Sequence, residues 1–152
     1  MIEDYLRENG VEFEEIPHQR AYTAQGTAAV EHVTGYSFAK TVVVTDGEEY
    51  YLLVLPAPYR ADLEKAGELI GAEVELASEE EIGDVFTGCE VGAEPPFGSI
   101  FQVKTYVDET LGEQREIVFR AGSHDATIKM NYDDYIDLEE PDTGAFATGI
   151  DA

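Results

Sequence analysis

Thr41-Val42-Val43-Val44-Thr45, Asp46-Gly47 and Tyr50-Tyr51-Leu52-Leu53-Val54-Leu55 read together as two paired strands joined by a turn. β-Branched and aromatic residues fill both runs, and aspartate followed by glycine supplies the backbone freedom of a tight reversal. Upstream, Ile2, Tyr5, Leu6 and Asn9 fall on one helical stripe that Gly10 stops. Val11 and Phe13 then alternate with Glu12 and Glu14 in a short strand ending near Pro17. Thr23 is placed to cap a helix running toward His32, ended by Gly35.

Downstream, Leu63, Ala66, Leu69 and Ile70 predict an amphipathic helix over 61–70, closed by Gly71. Val74 and Leu76 suggest a short strand, and Ser78 with Glu81 forms a capping box for a helix burying Ile82, Val85 and Phe86. A Gly/Pro-rich loop over 88–98 precedes three strand-like runs at 100–107, 116–119 and 127–130. Asn131 then caps a helix carrying Tyr135, Ile136 and Leu138, stopped by Pro141. Helices and strands mix without regular alternation or internal repeats, which predicts a single α+β domain with a mixed sheet over 1–141. Residues 142–152 are expected to be a frayed tail.

Composition narrows the chemistry. With 152 residues and 43% hydrophobic side chains, the chain can bury one core without staples. Nine lysines and arginines against 33 aspartates and glutamates give a net charge of −24. Spread over the surface expected for this mass, that is roughly one net negative charge per 320 Å². Such a surface argues against duplex DNA or an anionic membrane as partner, because both demand cationic patches. It fits either a host with high internal salt or an ordinary acidic protein. The lone cysteine, Cys89, excludes an internal disulfide and a Cys-rich metal site. The longest apolar run, 50–59, is too short to span a bilayer and is broken by Pro56 and Pro58. The acidic start Met1-Ile2-Glu3-Asp4 does not resemble a signal peptide, so a cytoplasmic location is expected.

There is no phosphate-binding glycine loop, no Gly-x-Ser-x-Gly and no His-Glu-x-x-His. His18, His32 and His124 follow no familiar metal-ligand spacing, and no metal or cofactor is expected. Lys40 stands out: one of four lysines, it sits at the mouth of a core strand, where its stem can pack while its ammonium stays near solvent. There it can hold a phosphate, a carboxylate or an attacking water, or it is simply an edge lysine. Gly92-Ala93-Glu94-Pro95-Pro96-Phe97-Gly98 is a stiff loop that either lines a pocket or only connects. Ala121-Gly122-Ser123-His124-Asp125 is a compact turn able to present polar groups.

Phe38-Ala39-Lys40-Thr41-Val42, Gly92 to Gly98 and Gly122-Ser123-His124 occur in the order and at the spacing of the YbaK/prolyl-tRNA synthetase-associated editing domains, which the chain resembles over about residues 1–140. Tyr5-Leu6, Gly10-Val11, Phe13, His18 and Leu69-Ile70-Gly71-Ala72 resemble the family too. The resemblance implies a mixed sheet or partial barrel flanked by helices. It also implies hydrolysis of the ester joining a wrong amino acid to the 3′ end of tRNA. Lys40 would then be the lysine on which activity depends, holding the terminal phosphate and adenosine end. Gly92, Pro96 and Gly98 would position the ester, Gly122, Ser123 and His124 would shape the amino-acid pocket, and Tyr22 or His18 would touch the substrate. Thr127 stands where one branch carries an acidic residue, so cysteinyl-tRNA specificity does not transfer, and the Gly-x-His form is more similar to the alanine-clearing branch.

The implied partners are mischarged aminoacyl-tRNA and a synthetase or elongation factor that delivers it. The rival readings are a non-catalytic module binding aminoacyl-tRNA or a synthetase, and a nucleotide-binding protein. Carboxylates are expected on the outer helices and sparse near Lys40, and Gly92, Gly98 and Gly122 are expected to line one concave site with it. Binding RNA against the −24 charge would need Lys40, Lys129, Arg20, Arg60 and Arg120 to gather at one cleft, or salt or a carrier to relieve repulsion. Deacylation is therefore expected to hold or rise with added potassium chloride, the reverse of a basic RNA binder. A steep fall in rate while circular dichroism shows folded protein would overturn this.

Overall fold

The computed structural model describes residues 2–17 and 35–149. The predicted helix from Thr23 toward His32, together with His18, Arg20 and Tyr22, lies outside the described residues. The helices are α1 (Ile2–Glu8), α2 (Leu63–Ile70), α3 (Glu79–Val85) and α4 (Tyr132–Glu139). The first strands are β1 (Phe13–Pro17), β2 (Ala39–Thr45), β3 (Tyr50–Pro56), β4 (Arg60–Ala61) and β5 (Glu75–Leu76). They are followed by β6 (Lys104–Asp108), β7 (Glu116–Arg120), β8 (Ala126–Asn131), β9 (Asp142–Gly144) and β10 (Ala147–Thr148).

β2 and β3 pair antiparallel from Ala39 opposite Pro56 to Thr45 opposite Tyr50. The Asp46 carboxylate accepts from the amides of Glu48 and Glu49, both at 2.8 Å, and Gly47 takes φ +101°, so the turn forms for the reason the sequence suggested. Around this hairpin grows a five-stranded sheet in the order β5-β2-β3-β6-β9, mixed because β3–β6 and β6–β9 run parallel. A second sheet, β1-β8-β7, is antiparallel throughout. A parallel bridge between Phe38 and Val118 ties its β7 edge to the start of β2. The fold is thus α+β, with two sheets curling together like part of a barrel.

The pleat of the hairpin sorts its side chains into two cores. Ala39, Val43, Leu52 and Val54 face the larger one, with Ile2 and Leu6 of α1, Phe97, Phe119 and Tyr135. Val44, Leu53 and Leu55 face the smaller one, with Ala66 of α2, Tyr106 and Phe146. The ends read at Gly71, at Ser78 with Glu81 and at Asn131 form, whereas α2 begins at Leu63 rather than 61 because Asp62 caps it. Gly71 closes it at φ +90°, Ser78 and Glu81 make the capping box of α3, and Asn131 caps α4.

Two expectations are corrected. The run 100–107 is not one strand: Gly98–Phe101 is a 3-10 turn, closed by the Val103 amide donating to the Gly98 carbonyl at 2.9 Å, and β6 starts only at Lys104. The short strand read around Val74 and Leu76 is present as β5, at the sheet edge, with Leu76 63% exposed. Residues 142–149 are not a frayed tail. β9 adds to β6, β10 pairs with β4, and Phe146 is fully buried. Asp108 receives this strap, its carboxylate accepting from the amides of Phe146 and Ala147, each at 2.8 Å, and from the Thr110 amide and hydroxyl. Burial alone would raise the Asp108 carboxyl; these four hydrogen bonds hold it below the usual aspartate value. One aromatic side chain and one buried acceptor outweigh the small polar composition that suggested disorder. Phe146→Ala is expected to cost about 3–5 kcal/mol in urea denaturation. A change below about 1 kcal/mol would show the strap to be incidental to the fold.

Candidate active site

Strand alternation places Lys40 on the same face of β2 as Phe38 and Val42, opposite Leu55. Phe38, Ala57 and Val118 form a small buried cluster on that face. The Arg120 guanidinium carbon stands 5.9 Å from the centre of the Phe38 ring. Lys40, half-buried, and Arg120, 7% exposed, therefore both border one apolar floor where the two sheets meet.

The two loops singled out in sequence are stitched together beside this floor. The Glu90 amide donates to the Gly122 carbonyl at 2.8 Å, and the Gly122 amide to the Ala93 carbonyl at 2.9 Å. The His124 amide donates to the Glu90 carboxylate at 3.1 Å. Gly92 and Gly122 both adopt φ +89°, a region that strains any residue with a Cβ. The Thr41 hydroxyl, next to Lys40, donates to the Glu94 carbonyl at 3.1 Å, tying the first loop to β2.

His124 is held at both ring nitrogens. An Arg120 terminal N–H lies 2.9 Å from Nδ1, and Nε2 lies 3.0 Å from the Val91 carbonyl. A guanidinium only donates, so Nδ1 accepts and the ring is the neutral Nε2–H tautomer, donating to Val91. In this arrangement the imidazole braces the two loops and is not placed to take a proton from water. Cys89 is no better suited as nucleophile: burial and the Glu94 charge push its thiol up to about 11.

Sequence reading placed Glu94 only within the loop motif and Arg120 only among cations for RNA. The structure buries both. Glu94 is 4% exposed, and its carboxylate accepts from the Gly92 amide at 2.6 Å. Burial raises the Glu94 carboxyl, while the amides of Gly92, Glu94 and Ala93 pull it partly back. For Arg120, burial works against the charge and Glu94 supports it. Glu94 is thus a carboxylate that organises the loop from within. Arg120 at the end of the apolar run Ile117-Val118-Phe119 was the available signal for a buried cation.

The other candidate residues separate. Pro96 is buried within the loop, and the Ser123 hydroxyl accepts from the Asp125 amide at 3.1 Å. Gly98 is pressed against the Val103 carbonyl and the Thr105 hydroxyl, where an added Cβ would come within 2.5 Å of each. Its need for glycine is explained by protein contacts alone. Among the cations, Lys129 pairs with Glu116 at 3.7 Å and Arg60 is exposed on β4.

The fold is that of a small α+β protein in which two glycine-bearing loops are joined by backbone hydrogen bonds. Residues 18–138 match the aminoacyl-tRNA editing domain, and the chain belongs to that family. It is 29% identical over 143 residues to the multifunctional Ser/Thr-tRNA deacylase ProXp-y of Escherichia coli (strain K12), covering 90% of this chain and 85% of that one. The fold is shared with a crystal structure of a hypothetical protein, at TM-score 0.89, 21% identity and 97% and 99% coverage of the two chains. It is also shared with a proposed trans-editing enzyme for prolyl-tRNA synthetase, at TM-score 0.85, 24% identity and 97% and 95% coverage. The family's reaction is hydrolysis of mischarged tRNA, which makes this protein an aminoacyl-tRNA deacylase and sets aside the non-catalytic and nucleotide-binding readings.

Glu94 yields a prediction whose sign is determined. A carboxyl raised in the folded state binds its proton more tightly there than in the unfolded chain. Its favourable contribution is present at low pH and is lost as pH rises through the folded-state value, above the ordinary 4.5. Glu94→Gln is expected to gain stability relative to the parent as pH rises across that range, read as the difference in denaturation midpoint. A difference independent of pH would refute it.

Proposed function

We propose that the protein clears small, wrongly attached amino acids, serine and threonine foremost, from tRNA at the cleft between Lys40 and the paired loops of Gly92 and Gly122. The observation that carries this reading is the direct backbone pairing of the two loops beside the face that bears Lys40. The name of the Escherichia coli relative supports serine and threonine, while the Gly-x-His pattern resembles the alanine-clearing branch. These alternatives are separated by substrate. A synthetase or an elongation factor is the natural source of the charged tRNA.

In this reading the Lys40 ammonium meets the anionic 3′ end, and the left-handed glycines let backbone approach the ester closely. An aminoacyl ester is already activated, so holding it beside water supplies much of the rate. Water oxygen bonds to the ester carbonyl carbon, the bond to the ribose oxygen breaks, and that oxygen takes the proton. The neighbouring ribose hydroxyl assists the water, consistent with His124 being held at both nitrogens and Cys89 being a thiol. His18 and Tyr22 are retained as candidate substrate contacts, and Pro96, Gly98 and Ser123 as residues that shape the two loops.

Turnover is measured on tRNAs charged with serine, threonine, alanine and cysteine. Lys40→Ala is expected to lower the rate on the order of a hundredfold or more while circular dichroism stays unchanged. Lys40→Arg should restore little, because a planar guanidinium differs from a compact ammonium in donor geometry. Parental rates in folded Lys40→Ala protein would end the assignment of Lys40.

A further inference from the structure

The face that carries Lys40 continues past the ends of β2 and β3. Lys40 stands opposite Leu55, and the Ala57 amide donates to the Phe38 carbonyl at 2.8 Å, extending the pairing by one rung. Beyond that rung come Tyr36, in the 3-10 turn Gly35–Ser37, and Tyr59. Their rings meet edge to face, with centroids 5.6 Å apart at 63°. Two turns hold the pair in place: the Tyr59 amide donates to Pro56 at 3.1 Å, and the Phe38 amide to Gly35 at 3.2 Å. The Ser37 hydroxyl also donates to Gln114 at 2.9 Å, fixing the turn to the segment before β7.

Tyr36 is 38% exposed, one of three exposed large hydrophobic side chains among the described residues. Arg60, exposed, follows Tyr59 directly. We propose that Tyr36 and Tyr59 form a stacking platform for a base of the single-stranded 3′ end of tRNA, one on the 5′ side of the terminal nucleotide. This inference rests on the deacylase reading only for the identity of the RNA.

Three observations converge on that occupant. Tyr36 lies four positions before Lys40, roughly 10–13 Å at the rise of a strand or a tight turn. With the terminal phosphate and adenosine end at Lys40, that distance takes the platform toward the preceding base. An aromatic ring with a cation beside it suits a nucleotide, because every base offers a π-face and every linkage a phosphate. Stacking also answers the charge problem. A chain with net charge −24 gains little from phosphate attraction, and base stacking supplies affinity that salt does not screen.

The test compares the parent with Tyr36→Ala, Tyr36→Phe and Tyr36→Trp on two substrates with the same aminoacyl group: charged tRNA and 3′-aminoacyl-adenosine. Tyr36→Ala is expected to raise KM for tRNA on the order of tenfold to a hundredfold, leaving kcat and the adenosine substrate unchanged. Phe and Trp should preserve parental values, since the ring and not the hydroxyl makes the contact. Equal losses on both substrates, or an unchanged KM for tRNA in folded Tyr36→Ala protein, would overturn the platform. Titration with an uncharged oligonucleotide of the tRNA 3′ end keeps the two readings apart. Weaker binding by Tyr36→Ala supports the platform even if the parent hydrolyses nothing, and equal binding refutes it even if the parent is an active deacylase.

Discussion

The register of β2 against β3 is the constraint from which both the core and the site follow. With Ala39 opposite Pro56, the odd-numbered residues of β2 enter the larger core and the even-numbered ones face the smaller core. Lys40 then shares its face with Phe38, at the floor where β7 arrives. A slip of one residue would turn Lys40 into the larger core and expel Val43 from it. The Asp46–Gly47 turn and a run of aliphatic side chains with few alternative partners therefore place Lys40 on this face as a by-product of packing.

A second constraint is the burial of charge near that floor. Glu94 and Arg120 are both nearly inaccessible, in a region where an isolated ion would be costly. The cost is offset locally: backbone amides serve the carboxylate, and His124 accepts from the guanidinium. The same contacts hold the two loops in one arrangement, so the polar groups that raise the cost of folding also fix the loops that the proposed function uses. A rigid cleft suits a reaction whose leaving group is activated before the substrate arrives, because placing water is then most of what remains to be done.

The acidic exterior bears on how such a cleft could engage RNA. Electrostatic attraction between exposed charges fades within about 8–10 Å at ordinary ionic strength. Carboxylates on α3 and α4 beyond that range need not repel a slender 3′ end, although they would disfavour a duplex laid across the surface. Recognition limited to a single-stranded end, made of one lysine, left-handed backbone and aromatic stacking, is compatible with such a charge.

Much of the architecture was legible in the chain because its signals are local. The hairpin turn, the capping residues Ser78 and Asn131, and the stop at Gly71 each act over four residues or fewer, and each forms as read. The three motifs around Lys40, Gly92 and Gly122 were also legible, through their order and spacing. What the chain alone did not disclose depends on contacts between distant segments. Phe146 is unremarkable until Asp108, 38 residues earlier, accepts its amide. Gly98 was read with the site, yet Val103 and Thr105 account for its lack of a side chain. Glu94 and Arg120 looked like two more surface charges, and Tyr36 and Tyr59 like unrelated loop residues 23 positions apart. Sequence determined which segments would be helix, strand or turn, because backbone propensity and capping are short-range. Tertiary structure decided which polar groups would be buried and which rings would meet, because burial and pairing are properties of the assembled chain.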